Sequence, residues 1–220
     1  MKKIISVFLV LLIVCVTLSQ LMAAPKATKP KAEPANDAPP VTVLMIDNFD
    51  DQDLELNPAW WHFDKVEFSF VPNSQENISK LGSHYLKVSG STNDWYIGGM
   101  GTYLAIDVSQ FKGITMAVNG FGPTSGRIKI ELYDDDNGSN QLEQDSSFQP
   151  LFDDKFQYEL TVNWTGWQQI TIPFSKFVDM NPAVGNNKWD GKLVHLQLVF
   201  ITSKQQGAVS MGIDNLSLIQ

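Results

Sequence analysis

Two sets of side chains in this sequence have the types and spacing to do chemistry. The first is acidic. Asp47, Asp50 and Asp51 fall in Ile46-Asp47-Asn48-Phe49-Asp50-Asp51, and Asp214 falls in Gly212-Ile213-Asp214-Asn215. Carboxylates are the hard oxygen donors that calcium prefers. Aspartate caps backbone amides in turns equally well, so residue type leaves both readings open. The second set is polar and aromatic. Arg127, Lys129, Glu131 and Tyr133 recur at every second position, as do His195 and Gln197, while Trp95 and Tyr96 precede Gly98-Gly99-Met100-Gly101. Flat rings stack on sugar faces and planar polar groups fork onto hydroxyls, so such a mixture suits a carbohydrate. Taken singly, each of these residues is ordinary solvated strand surface.

The sequence argues against catalysis. The three histidines, His62, His84 and His195, form no H-x-H or H-x-x-x-H spacing. Gly98-x-x-Gly101 opens no helix, as a phosphate loop would. With 24 acidic residues, carboxylate pairs arise by chance and do not imply a glycosidase. The run Asp134-Asp135-Asp136-Asn137-Gly138-Ser139-Asn140 departs from the helix-flanked calcium loop: its glycine is one place early and a strand precedes it. Asn137-Gly138 between strands reads instead as a hairpin turn.

The elements that must position these residues are short strands. Arg127–Tyr133 alternates, with Ile128, Ile130 and Leu132 on one face and the polar set on the other, the period-two mark of a strand with one wet face. Phe156–Val162, Trp167–Ile172 and Leu193–Ile201 behave alike. Residues 41–46, 84–88, 103–108, 113–118 and 208–219 complete the expected set, and Gly98–Gly101 reads as a turn. No stretch carries a helical stripe, so the predicted fold is all-β, an antiparallel jelly-roll β-sandwich. If the 127–133 and 193–201 strands share its concave sheet, their polar side chains form one groove, flanked by Trp95 and Tyr96. Trp60 and Trp61 are adjacent and are expected to point opposite ways, one inward and one outward.

The first forty residues are different. Lys2 and Lys3, the apolar run Ile4–Leu18 and the small Ala23 and Ala24 have the three parts of a secretory signal peptide over residues 1–23. The run is shorter than the roughly 20 apolar residues that span a bilayer, so no membrane span is expected after cleavage. Residues 24–40 form a Pro/Ala/Lys-rich linker that cannot bury enough surface to fold. The expected destination is secreted, periplasmic or cell-surface. Cys15, the only cysteine, lies inside the apolar run, which leaves no disulfide or thiol chemistry downstream. Without Lys2 and Lys3, 14 basic residues face 24 acidic ones, a balance of −10. Such a surface repels phosphate backbones and disfavours nucleic acid as a partner.

Three segments carry a family resemblance over residues 41–220. Gly166-Trp167-Gln168-Gln169-Ile170-Thr171-Ile172-Pro173-Phe174-Ser175-Lys176-Phe177 resembles a W-x-x-ϕ-x-ϕ-P-F-x-x-F stretch of the galactose-binding-like jelly rolls. The opening Ile46–Asp51 and closing Gly212–Leu218 segments resemble the first and last strands of the same group. Nearest in pattern are family 11 carbohydrate-binding modules and the complex I intermediate-associated group. The resemblance implies that first and last strands lie side by side, with a structural calcium at that end for which Asp47, Asp50, Asp51 and Asp214 are the candidates. It also implies a non-catalytic protein that binds a polysaccharide or oligosaccharide through Trp95, Tyr96, Arg127, Lys129, Glu131, Tyr133, His195 and Gln197. The several tyrosines expected of a β-glucan cleft are not evident, since the whole chain has five. The alternative is an envelope or cell-surface structural protein, like flagellar-sheath proteins, that uses the same fold to contact another protein.

Overall fold

A computed structural model describes residues 42–74 and 82–220; the signal-peptide and linker assignments lie outside these residues. Where apolar and polar residues alternate, the chain forms strands that lend one face to a shared core. Two antiparallel sheets pack against each other. One has the strand order β3 (Glu67–Pro72), β4 (His84–Thr92), β12 (Gly207–Ile219), β6 (Gly113–Phe121) and β9 (Thr165–Pro173), with β1 (Val43–Asp47) also on β12. The other runs β10 (Val178–Asp179), β8 (Asp154–Val162), β7 (Gly126–Asp134), β11 (Lys192–Ile201), β5 (Tyr96–Asp107) and β2 (Trp60–Asp64). This is the expected jelly-roll β-sandwich.

Between the sheets lies a core that includes Leu86, Val88, Met116, Val118, Ile213 and Leu218 from one side and Met100, Ile128, Ile130, Leu132, Leu196 and Leu198 from the other. First and last strands pair as expected, Val43 opposite Ile219. In the Trp167–Phe177 segment Ile172 enters the core, Pro173 closes β9, and Phe174 and Phe177 are buried around a single 3-10 turn.

Three expectations need correction. Gly98–Gly101 is no turn but lies in the middle of β5, between β11 and β2. Strands β2 and β3 lie outside the expected set: Trp60–Asp64 shows no clean alternation, and in Glu67–Pro72 the alternation of Phe68 and Phe70 with Glu67 and Ser69 is short and ends at Val71-Pro72. Asn137-Gly138 does turn, with Gly138 at φ 74°, yet it does not join β7 to β8 directly. A long excursion intervenes, folded on itself by a bridge between Gln144 and Pro150.

Candidate functional site

Strand pairing arranges the wet face of the second sheet in rows. In the first row Tyr103, His195 and Tyr133 stand opposite one another on β5, β11 and β7, followed by Lys155 on β8. The second row runs Trp61, Gly101, Gln197, Glu131, and the third Phe63, Gly99, Val199, Lys129, Glu159. The two sequence strands thus do share one sheet, and their polar parity is as read. They floor a groove of about 900 Å³.

Of the residues singled out from sequence, Trp95, Tyr96, Lys129, Glu131, Tyr133, His195 and Gln197 line this groove. Arg127 supports it from outside. Its guanidinium donates to Glu159 Oε1 at 2.7 Å and to the Thr202 carbonyl at 3.3 Å, and it lies 5.2 Å from the centre of the Trp95 ring. Sequence reasoning missed Trp61, Phe63, Asp64, Gln144, Phe148 and Lys155. Trp61 was half legible: Trp60 is 6% exposed and Trp61 37%, the opposed pair that adjacency in a strand demands. The glycines were the unread signal. An ideal Cβ on Gly99 would come within 2.5 Å of the Phe63 ring, and one on Gly101 within 2.4 Å of the Trp61 ring. Glycine at both positions lets two aromatic rings lie against the β5 backbone.

The polar groups of the floor are braced. Glu131 receives the Lys155 ammonium at 2.9 Å and the Tyr133 hydroxyl at 3.1 Å. Burial, then the Glu131 charge, pushes the Tyr133 phenol above its usual range. Tyr96 donates to Asp64, and burial together with that hydrogen bond also raises its phenol. His195 is enclosed by Trp61, with ring centres 5.0 Å apart, and by Tyr103 and Tyr133. Burial lowers its pKa, so it faces the groove as a neutral ring. The lining carries Lys129 and Lys155 against Asp64 and Glu131, a balanced charge. Exposed rings from Trp61, Trp95, Tyr96 and Phe148 rim this floor, which suits a ligand with flat apolar faces and uncharged hydroxyls.

The four aspartates divide. Asp47 Oδ1 accepts the Phe49 amide and Oδ2 the Trp60 indole, each at 2.7 Å, so both oxygens serve the fold. Asp51 is exposed and caps the Asp53 amide. Asp50 and Asp214 lie near each other and also serve the fold. Asp50 Oδ1 accepts the His84 amide and the Ser83 hydroxyl at 3.0 and 3.1 Å, Asp50 Oδ2 the Asn48 side-chain amide at 2.9 Å, and Asp214 Oδ1 the Asn215 amide at 2.7 Å. Around Asn73 Nδ2 converge the Gly82 carbonyl, the His84 carbonyl and Asp214 Oδ2, at 2.9, 3.2 and 3.3 Å. Asn73 Oδ1 is buried with no hydrogen-bond partner among the described residues. Burial pushes Asp47 up to about 6 and Asp214 up to about 7, the latter helped by the charges of Asp50 and Asp47. Among the described residues, no group of three or more His, Cys, Asp or Glu side chains is arranged to hold a metal ion. A cation here would rest on Asp50 and Asp214 with amide and backbone oxygens, a donor set whose chemistry fits calcium.

No family model matches this sequence, and no curated protein matches it. Solved structures do share the fold. The chain is similar to a family 11 carbohydrate-binding module from Clostridium thermocellum in complex with a β-1,3-1,4-mixed-linked tetrasaccharide, at TM-score 0.51 and 17% identity over 80% of this chain and 94% of that one. The family 11 module of a cellulosomal cellulase from the same organism gives TM-score 0.50 and 17% identity, covering 82% of this chain and 95% of that one. An exo-β-agarase gives TM-score 0.51 at 12% identity, over 80% of this chain but 24% of the enzyme. By fold, this chain is an antiparallel jelly-roll β-sandwich of the kind found in family 11 carbohydrate-binding modules.

Proposed function

We propose that this protein binds a neutral polysaccharide in its concave groove, without catalysis and outside the cytoplasm. The observation that carries this reading is the groove itself, with aromatic rings from β2, β5 and two loops around a charge-balanced polar floor. Its volume falls within the roughly 300–1,000 Å³ of ligand clefts. The neighbour that holds a mixed-linked glucan tetrasaccharide on the same fold supports a β-linked glucan as the first ligand to try. Both groove carboxylates are engaged, Glu131 by Lys155 and Tyr133 and Asp64 by Tyr96, which supports binding over acid–base chemistry. Export is supported by the basic, apolar and small-residue order of residues 1–24. Among the described residues, no helix is long and apolar enough to cross a membrane.

Affinity electrophoresis of the purified protein through gels containing mixed-linked β-glucan or other neutral polysaccharides tests the binding reading. Retardation that disappears in Trp61→Ala is expected. No retardation by any polysaccharide would sink it and favour the protein-contact alternative, for which Leu151, Phe152, Val178 and Met180 are among the exposed apolar side chains outside the groove. A mature N-terminus near residue 24 is the expected sign of export. A structural calcium at Asp50 and Asp214 belongs to the same proposal, supported by the unpartnered Asn73 Oδ1 and the carbonyls of Gly82 and His84.

A further inference from the structure

Away from Asp214, a second set of carboxylates gathers where the 135–153 and 180–191 segments meet the ends of β7 and β8. Asp134, Asp153 and Asp154 are fully buried. The ion pairs among the described residues join Arg127 to Glu159, Lys155 to Glu131 and Lys192 to Asp107, and none reaches this set. Asp134 has an evident structural task, accepting the amides of Asp190, Gly191 and Lys192. Asp154 does not have its full complement. Its Oδ2 accepts the Lys188 amide at 3.1 Å, while Oδ1 is buried with no hydrogen-bond partner among the described residues.

That free oxygen is aimed at Gly185. An ideal Cβ there would lie 2.1 Å from Asp154 Oδ1 and 2.4 Å from Asp136 Oδ2, so carboxylate oxygens from two separate segments face one point. Gly185 has φ +69°, and its missing side chain is what lets the two oxygens lie against its backbone; Asp136 Oδ2 also accepts the Asp154 amide at 2.9 Å and Oδ1 the Asn186 side-chain amide. Buried ionised carboxylates without a counter-charge are strongly unfavourable, and backbone amides offset only part of that penalty. Calcium accepts six to eight oxygens in flexible geometry, water and carbonyls included, so two carboxylates can found a site without a third.

We propose that Asp136 and Asp154 are the carboxylate ligands of a calcium site over Gly185. The ion would fasten the 135–153 segment, which brings Gln144 and Phe148 to the groove and whose Asn140 carbonyl accepts the Tyr103 hydroxyl at 2.7 Å. This site is separate from the one at Asp214, and it stands whatever ligand the groove holds.

Terbium luminescence reads the site, because Trp189 lies between Lys188, whose amide meets Asp154, and Asp190. In the purified full chain, tryptophan excitation should sensitise bound Tb³⁺, and calcium should displace it. Asp214→Asn alone silences any signal from the site near Trp60 and should leave a calcium-displaceable signal in place. Made in that Asp214→Asn background, Asp154→Asn and the half-buried Asp136→Asn should each weaken the remaining calcium-displaceable signal at least ten-fold. Circular dichroism checks that each variant is folded, and Asp136→Asn carries the test if Asp154→Asn is not. A signal unchanged in folded Asp136→Asn would overturn the proposal. So would a signal lost with Asp214→Asn, or no calcium-displaceable emission from the unaltered protein.

Discussion

Trp61 rests on Gly101: an ideal Cβ on that glycine would fall 2.4 Å from the indole Cζ2 and 2.6 Å from Cε2. The ring on β2 and the bare backbone on β5 together make a platform, and His195 meets the same indole at 5.0 Å between ring centres. Gly101→Ala should therefore displace the indole while leaving the core untouched. Polysaccharide affinity is expected to fall about ten-fold, or about 1.4 kcal/mol, with little change in melting temperature. Calorimetric titration beside a thermal melt checks both halves; unchanged affinity would mean that the platform is not used.

Arg127 holds Trp95 by its face and β8 through Glu159. Lysine keeps the charge but not the planar fork, so Arg127→Lys should release Trp95. Because the ion pair is partly exposed, the stability loss should stay near about 1 kcal/mol or below. Affinity should weaken several-fold at the same time. Titration and denaturant unfolding of one preparation would show whether the two effects separate in this way.

Trp60 and Trp61 should respond oppositely to replacement. Trp60→Phe removes the indole donor from Asp47 Oδ2 and leaves a buried carboxylate oxygen short of a partner. A loss of roughly 1–3 kcal/mol is expected in chemical denaturation. Trp61→Phe should cost almost nothing in stability, since its indole lies on the groove surface. Equal destabilisation by the two changes would contradict the assignment of their faces.

The raised carboxylates impose a direction on the pH dependence of stability. Asp47 and Asp153, pushed up to about 6, and Asp214, up to about 7, hold protons in the folded chain that the unfolded chain has released. Their contribution is present in full below the ordinary carboxylate range and is lost as pH rises through 6 and 7. His195, lowered by burial, works the other way only up to about its unperturbed value near 6.5. In chelator, the denaturation midpoint should fall between pH 6.5 and 8, and Asp214→Asn should flatten that fall. Added calcium should restore part of it at pH 8. A midpoint that rises with pH over this interval would refute the assignment.

Much of this architecture is legible in local pattern. Alternation in Arg127–Tyr133 and Leu193–Ile201 determines which side chains face the groove, because a strand's period of two is independent of its partners. That these two strands are neighbours is a matter of pairing, which local pattern does not encode. Trp60–Asp64 escaped because an edge strand with one exposed indole and one buried one shows no apolar stripe. Gly98–Gly101 misled for a related reason. Glycine in a strand signals either a turn or the close approach of another group, and only the position of Phe63 and Trp61 decides between them. Phe148 and Gln144 reach the groove from a long excursion whose path depends on tertiary contacts such as Asn140 with Tyr103.

The most direct measurement of the central claim is calorimetric titration of the purified protein with soluble neutral polysaccharides, beside Trp61→Ala and Tyr96→Ala. The groove reading predicts saturable binding by the parent protein and a loss of at least ten-fold in affinity in each folded variant. Binding that survives both substitutions unchanged, or no binding to any polysaccharide, would contradict it.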